Sequence, residues 1–238
     1  MKKILITITL VFSCLFVYAQ GNGYRFTYEE KAMMKASDFK IEDPAMKEMI
    51  MKALNERKQF YTLTFSDGKS LFEMNKELSS ESFGMEGRVV YTDINKGISI
   101  TQEELYGKKF LVADTLNKIQ WQITDETKEI NGRMCTKAVA MDSAQQEGIT
   151  AWFSFEIPVP AGPMGIVGLP GLIVQLDIAV LSYTLTNVEV VNDVKEINPP
   201  KKGKKMDREE FQKLQNKMIE EMKARHPRGG EGIQIITM

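Results

Sequence analysis

The sequence contains one histidine, His226, and this limits the catalytic chemistry open to the chain. A Ser-His-Asp triad, a Cys-His pair or a histidine-ligated zinc site would have to use this residue. It lies in Ala224-Arg225-His226-Pro227, a pattern typical of a helix end because proline cannot continue a helix. The composition therefore argues against most hydrolases and metalloenzymes, and it leaves open chemistry that uses carboxylates alone.

Acidic residues are abundant, but no motif places them in an acid/base setting. They recur as adjacent pairs: Glu103-Glu104, Asp125-Glu126, Glu209-Glu210 and Glu220-Glu221. Adjacent charged residues are usually solvated, and an enzyme would need two carboxylates that converge in a cleft. The sequence also has no nucleophile elbow, phosphate loop, dinucleotide fingerprint or Asp-x-Asp calcium loop. We therefore expect a protein that is not an enzyme and has no catalytic residues, cofactor or metal site.

Methionine is the compositional outlier, with 15 residues. Met46 and Met49 are three positions apart in one predicted helix, and Met218 and Met222 are four apart in another. Thioether clusters without histidine can bind Cu(I), but methionine also fills apolar helix faces because it is flexible. Both pairs lie on the apolar stripes of their helices, so the sequence favours core packing over a copper site.

The first residues have the pattern of an export signal. Lys2 and Lys3 precede the apolar stretch Ile4 to Tyr18, whose 15 residues are short for a membrane span. Small residues stand at the first and third positions before Gln20, as signal peptidase requires. The sequence predicts a signal peptide over residues 1–19 and a mature chain that begins at Gln20.

Lipidation at Cys14 is the alternative to cleavage after Ala19. The residues that follow this cysteine, Leu15 to Tyr18, remain apolar, whereas a lipoprotein tether should become polar. Cleavage is therefore favoured, and no transmembrane span would remain after it. We expect an exported protein that is periplasmic, associated with the outer membrane or secreted.

Charge and cysteine content exclude two further classes. The 31 basic and 32 acidic residues give a net charge of −1, which provides no electrostatic footprint for nucleic acid. Removal of the leader leaves one cysteine, Cys135, so no internal disulfide can form. We expect Cys135 to be a buried, small apolar residue rather than a reactive thiol.

Most of the chain shows the period of two that is typical of β-strands. Asp67-Gly68 and Asn131-Gly132 are hairpin turn signals, and Ile149 to Ile157 is the clearest alternation. About nine or ten short strands with turns between them indicate an antiparallel sheet. The other predicted strands include Tyr24–Glu29, Tyr61–Ser66, Arg88–Tyr91, Lys109–Val112, Ile119–Ile123, Leu172–Ile178 and Tyr183–Val191.

Two segments have a helical period. The first begins after Asp43, a natural N-cap, with Pro44 at the first helical position. Its apolar stripe consists of Met46, Met49, Ile50, Ala53 and Leu54. The second runs from about 207 to 225, with a stripe formed by Phe211, Leu214, Met218, Ile219 and Met222.

These elements predict a mainly β (α+β) fold, in which a curved antiparallel sheet or half-barrel is covered by two amphipathic helices. Residues 20–198 form the β-rich domain, with a helical insertion near 43–57. Residues 199–238 form a basic linker, the second amphipathic helix and a C-terminal tail. The four lysines between 201 and 205 are typical of a solvated linker rather than a membrane or partner patch.

The most unusual segment crosses from Pro158 to Gly171. Prolines fix φ and glycines admit positive φ or close approach, so this loop is pre-shaped. It carries apolar residues where loops are normally polar: Met164, Ile166, Val167 and Leu169. It either plugs the sheet or lines a site, and the sequence favours the plug.

Within this segment, Gly168-Leu169-Pro170-Gly171-Leu172-Ile173 spells the hexapeptide for which one protein family is named. The chain resembles the GLPGLI proteins, exported proteins of Bacteroidetes-type bacteria. Trp121, Cys135, Trp152 and Gly162-Pro163 agree with that resemblance, which covers nearly the whole mature chain. The family is uncharacterised, so the resemblance implies export but no catalytic residues. A sheet with a helical cover also looks remotely like the periplasmic lipoprotein-carrier fold, which holds acyl chains.

We hypothesise that the protein is a binding or carrier module for a hydrophobic ligand, held between the sheet and its helices. The candidate lining residues are Met46, Met49, Ile50, Trp152, Met164, Leu169, Met218 and Met222. The alternative is an accessory interaction protein whose partner belongs to an outer-membrane transport or assembly system. A flat exposed apolar surface, in place of a cavity, would favour this alternative.

Overall fold

A computed structural model describes residues 23–39, 41–80, 88–105, 107–116, 119–142, 147–192 and 194–225. The predicted signal peptide, Cys14 and His226 lie outside these residues.

The described residues are mainly β, with twelve strands and two α-helices. The strands are β1 (Gly23–Ala32), β2 (Gln59–Ser66), β3 (Lys69–Met74), β4 (Val89–Asp93), β5 (Ile98–Leu105), β6 (Lys108–Thr115), β7 (Gln122–Ile130), β8 (Arg133–Asp142), β9 (Glu147–Ser154), β10 (Leu172–Ile178), β11 (Leu181–Val191) and β12 (Lys204–Asp207). The helices are α1 (Pro44–Glu56) and α2 (Arg208–Arg225). The strands form one open sheet in the order β12-β6-β5-β4-β3-β2-β1-β11-β10-β9-β8-β7.

The two hairpin turns and the helix N-cap predicted from the sequence are present in the structure. Asp67 and Gly68 have φ of 50° and 73° in the turn between β2 and β3, and Asn131 and Gly132 join β7 to β8 in the same way. These positive φ angles match the right-handed twist of a hairpin. Asp43 caps α1, because its carboxylate accepts a hydrogen bond from the Ala45 amide at 2.9 Å.

The sheet departs from the prediction in three places. It is mixed rather than wholly antiparallel, because β12 pairs with β6 in parallel. This strand contains Lys204 and Lys205, so part of the predicted solvated linker is a sheet edge. Strand β7 begins at Gln122 and β9 ends at Ser154, so Trp121 and Ile157 lie outside the strands predicted to contain them. In both cases the side chains pack against the core from loop segments.

The sheet curves around one face, which we call the inner face. Phe72 in β3 and Tyr183 in β11 are three strand positions apart, about 14 Å in a flat sheet. Their ring centroids are nevertheless only 5.8 Å apart, and Tyr61 contacts both rings. The main core therefore lies within this curvature, with Phe26, Tyr28 and Leu63 fully buried.

Helix α2 packs on the inner face beside one edge of the sheet. Phe211 is buried against Phe110 of β6, with ring centroids 5.6 Å apart, and Leu214 packs on the same small cluster. This contact confirms part of the predicted apolar stripe. Neither described helix is long and apolar enough to span a bilayer.

The connection from β11 to β12 lies against the opposite, outer face. Ile197 in this segment is buried, and Glu196 lies close enough to Tyr91 to influence the ionisation of its hydroxyl. Tyr91 alternates with the inward residues Val90 and Thr92, so its ring belongs to the outer face. This segment thus covers the outer face of β4 at Tyr91.

Candidate functional site

The loop between β9 and β10, residues 155–171, packs into the curved inner face. We call it the glycine–proline loop. Val159, Ala161 and Leu169 are buried in the core, and the indole nitrogen of Trp121 donates to the Val167 carbonyl at 3.1 Å. A β-carbon at Gly165 would lie 2.7 Å from Val90, so the loop reaches as far as β4. The loop therefore packs as a plug, which is the arrangement the sequence favours.

Glycines of this loop are required for two different reasons. Gly168 has φ of 101°, in a region that L side chains rarely adopt. Gly171 has no such dihedral, but a β-carbon there would overlap the carbonyl oxygen of Ser154. At Gly162 a β-carbon would lie 2.6 Å from the Ile173 side chain. The hexapeptide and its neighbourhood thus let two backbone segments approach without side chains between them.

Met164 lies where the loop meets a buried polar cluster. Its φ of 59° is unusual for methionine, and its sulfur lies 3.6 Å from the Tyr183 hydroxyl. The Glu30 carboxylate lies close enough to Tyr61 and Tyr183 to raise the pKa of both hydroxyls. Glu30 is only 9% exposed, so a carboxylate shares the buried inner face with these aromatic rings.

A second buried carboxylate, Glu103, joins the sheet to α2. Its Oε2 is 3.1 Å from Nη2 of Arg88, and its Oε1 is 2.9 Å from Nη1 of Arg208. Arg208, the first residue of α2, also reaches Asp114 at 3.3 Å. Two arginines therefore hold Glu103, which fixes the start of α2 against β5 and β6.

Sequence reasoning missed this inner-face network. The alternation of residues in β1 could have indicated it. Glu30 shares a strand face with Phe26 and Tyr28, so a charged residue lies on an otherwise apolar face. The neighbours of Glu30 and Glu103 include Tyr183 and Arg208, which are far from them in sequence, and the contacts depend on how the sheet and α2 are assembled. Arg208 bridges Glu103 to Asp114, so this guanidinium lies between the two carboxylates. No group of three or more His, Cys, Asp or Glu side chains able to hold a metal occurs among the described residues.

The buried tyrosines predict alkaline sensitivity. Burial raises the pKa of Tyr28, and burial together with the Glu30 carboxylate raises the pKa of Tyr61 and of Tyr183. The unfolded value is about 10, so the unfolded chain loses these protons first. The contribution of these groups to stability is thus fully present below about pH 10 and is lost as the pH rises above it. Absorbance at 295 nm should show these hydroxyls ionising together with unfolding; ionisation of all tyrosines in folded protein would contradict this.

Trp152 lies on the outer face, away from the other candidate residues. It is paired across the sheet with Lys137 and Gln175, and the Lys128 ammonium lies 4.1 Å from its ring centroid. Lys128 also donates to Gln175 at 3.2 Å. Phe153 and Ala151, which flank Trp152 in β9, take the inward positions because side chains alternate along a strand.

The predicted orientation of α1 is wrong for its methionines. Met46 and Met49 are 48% and 64% exposed, and no residue of α1 is fully buried. The least exposed residues are Lys47, Ile50, Met51 and Leu54. At 100° per residue, their side of the helix is rotated by about 80° from the predicted apolar stripe. The helix contacts β1, and its less exposed side carries Ile50 and Leu54.

The predicted ligand-lining residues do not form one site. Met164 and Leu169 belong to the plug, Trp152 lies on the outer face, and Met46 and Met49 are exposed on α1. Met218 is half-buried on α2, and the side chain of Met222 lies outside the described part of the chain. The ligand pocket expected between the sheet and both helices is therefore not assembled from this set.

An open groove of about 460 Å³ lies where β12 ends and α2 begins. Ile98, Ile100 and Ala113 contribute apolar surface to it, and residues 207–209 form its other wall. The parallel pairing of β12 ends at Asp207 opposite Ala113, so β6 continues past it. The groove thus follows from the short length of β12.

Cys135 is buried, as the sequence predicts, with 1% of its surface exposed. Burial, followed by the nearby Glu156 carboxylate, raises the pKa of its thiol. A thiol that is neutral and shielded reacts slowly with disulfide reagents. We expect no reaction with Ellman's reagent in the folded mature chain and one equivalent after denaturation. Rapid reaction of the folded protein would contradict this assignment.

The comparisons with known proteins support the fold and leave the function open. A family described as a protein of unknown function (Porph_ging) matches residues 142–175. This segment contains β9, the glycine–proline loop and the first part of β10. No curated protein matches the sequence.

Two solved structures of PNGF-II, in the P21 and C2 space groups, have a similar fold. Each has a TM-score of 0.53, with sequence identities of 18% and 17%. The alignments cover 82% of this chain but only 33% and 32% of PNGF-II. The chain thus spans about a third of the length of the structures it matches, and at this identity the likeness is one of β fold alone.

Proposed function

We propose that the protein is an exported member of the GLPGLI family that acts as a non-enzymatic interaction protein of the cell envelope. The observation that carries this proposal is the exposed side of α1, formed by Met46, Met49 and Ala53. We call it the methionine surface. An exposed apolar surface, with the inner face filled by a plug, favours a partner protein over an enclosed ligand.

The methionine surface suits contact with another protein. Asp43 and Pro44 fix the start of α1, so the helix presents these side chains in a defined arrangement. Methionine is flexible and polarisable, and it adapts to varied apolar partners. The partner we propose is an envelope protein with a complementary apolar surface, belonging to an outer-membrane transport or assembly system.

Photo-crosslinking in the native cell envelope tests the contact. Benzoylphenylalanine at Ala53, on the same side of α1 and about one turn beyond Met49, should give a discrete crosslinked product in the full chain. Replacing Met46→Gln and Met49→Gln should reduce that product by about tenfold, equivalent to roughly 1.4 kcal/mol. The melting temperature should change little, because both side chains are exposed.

Met134 provides the matched control, since it is 55% exposed but lies on β8. Met134→Gln should leave the crosslink at Ala53 intact. A crosslink that is absent, or one that persists in the Met46→Gln, Met49→Gln variant, would contradict the proposal.

A second candidate function is the hydrophobic-ligand carrier, and the groove beside α2 favours it. This groove lies between the sheet and the start of a helix, and its volume of about 460 Å³ lies in the range of small-molecule sites. A fluorescent lipid probe should then bind saturably to the full chain. Ile100→Asp should abolish uptake, and no uptake by the wild-type protein would contradict the carrier function.

Export is the third part of the proposal. Its support is the Lys2-Lys3 pair, the short apolar segment and the small residues before Gln20. Sequencing of the mature protein should begin at Gln20. A diacylglyceryl group on Cys14 would contradict cleavage at that position and attach the protein to a membrane.

A further inference from the structure

We propose that Met46 and Met49 are oxidation sites, and that their conversion to sulfoxides by hydroperoxides releases the partner from the methionine surface. The oxidation rests on exposure and chemistry alone, whereas the release rests on the proposed interaction function. Oxidation of these two methionines would thus regulate binding of the partner to α1.

Met46 and Met49 belong, with Met33 and Met134, to the exposed methionines of the described residues. Met46 and Met49 lie on the solvent side of α1, at 48% and 64% exposure. Met164 is partly buried within the glycine–proline loop, and the Tyr183 hydroxyl lies 3.6 Å from its sulfur. Met206 packs against the Phe110 and Phe211 cluster. A peroxide can therefore approach the sulfurs on α1 without any rearrangement of the fold.

The step needs only a hydroperoxide as co-reactant. A sulfur lone pair attacks one peroxide oxygen, a sulfur–oxygen bond forms and the oxygen–oxygen bond breaks. Sulfur loses two electrons, and the departing oxygen takes up a proton, so hydrogen peroxide yields one sulfoxide and one water. An envelope protein meets such oxidants without the reducing systems of the cytosol.

Oxidation changes the surface without removing the helix. A sulfoxide is polar and accepts hydrogen bonds, so an apolar partner would have to desolvate it. The side of α1 that faces the protein contains Ile50, Met51 and Leu54, and Met51 is less exposed than Met46 and Met49. The expected result is loss of apolar contact on an otherwise intact fold.

Peptide mapping after peroxide treatment of the full chain tests the oxidation step. Met46, Met49 and Met134 should be oxidised about tenfold faster than Met164, in line with their accessibility. Met134 acts as an internal standard for exposure, because it lies on a strand far from α1 in the sequence. Oxidation of Met164 at the same rate as Met49 in protein that remains folded would overturn the assignment.

The crosslink at Ala53 tests the release. Peroxide should abolish the crosslink in the wild-type protein and in Met134→Leu, because both retain the two thioethers of α1. A Met46→Leu, Met49→Leu variant keeps an apolar surface that cannot form sulfoxides, so its crosslink should survive the same treatment. Equal loss in both variants would show that oxidation acts elsewhere.

The outcomes distinguish the two proposals. A crosslink that forms in untreated protein and persists after Met46 and Met49 are oxidised would overturn the release and leave the interaction function standing. A crosslink that never forms would remove the interaction function and the release together. The mapped oxidation order stands or falls independently of both.

Discussion

A Gly171→Ala variant is expected to unfold about 10 °C below the wild-type protein, corresponding to a loss of about 3 kcal/mol. The added methyl group would overlap the Ser154 carbonyl oxygen, which belongs to the backbone and cannot rotate away. Ser154 is fully buried at the end of β9, so relief requires β9 and β10 to separate. Thermal unfolding followed by circular dichroism measures the effect.

Gly148 provides the matched control for this substitution. It lies in β9, the strand that ends at Ser154, but a β-carbon there would meet nothing within 4 Å, and its φ is not positive. Gly148→Ala should leave the melting temperature unchanged or raise it slightly, because alanine restricts the unfolded chain. Equal melting temperatures for Gly171→Ala, Gly148→Ala and wild type would show that the close approach at Gly171 is not required.

Replacing Glu103 with glutamine is expected to lower the free energy of unfolding by about 2–3 kcal/mol. The carboxylate is 7% exposed and holds two guanidinium groups, from Arg88 and Arg208; both would lose this counter-charge, and Arg208 would keep Asp114. Both arginines retain some access to water, which limits the loss. Chemical denaturation measures the change, and hydrogen exchange should show faster opening at the start of α2.

The adjacent Glu104 is exposed and provides the control. Glu104→Gln makes the same chemical change one position away on the outward-facing side of β5, and stability should stay within about 0.5 kcal/mol. Similar destabilisation by both variants would indicate a general effect of charge rather than the network around Glu103.

The sequence predicted elements whose boundaries depend on local chemistry. Asp43 and Pro44 fixed the start of α1, and Asp67-Gly68 fixed the first hairpin, because caps and turns depend on a few neighbouring residues. Strand β12 was missed because Lys204 and Lys205 carry no alternating apolar pattern. Its pairing with β6 depends on tertiary position, which local propensity does not record.

The candidate site was less predictable because it depends on long-range register. The stripe through Met46 and Met49 indicated which side of α1 would be buried if an apolar surface faced it, but not whether such a surface exists. Glu30 and Tyr183 meet because β1 pairs with β11 in one particular register. Neither strand alone contains that information, and a shift by one residue would place Glu30 on the outer face.

The central position of β1 has a consequence for the order in which the chain can fold during synthesis. Its first neighbour, β2, follows soon after it, but its second neighbour is Leu181–Val191. At about 5–20 residues per second, roughly 7–30 s pass between the synthesis of β1 and that of β11. During this interval β1 to β6 can pair locally, while one edge of β1, next to Phe26 and Tyr28, remains bare and prone to pairing with other chains. The strand that begins the fold is thus among the last to be completed, and protection of the nascent chain is most needed before β11 emerges.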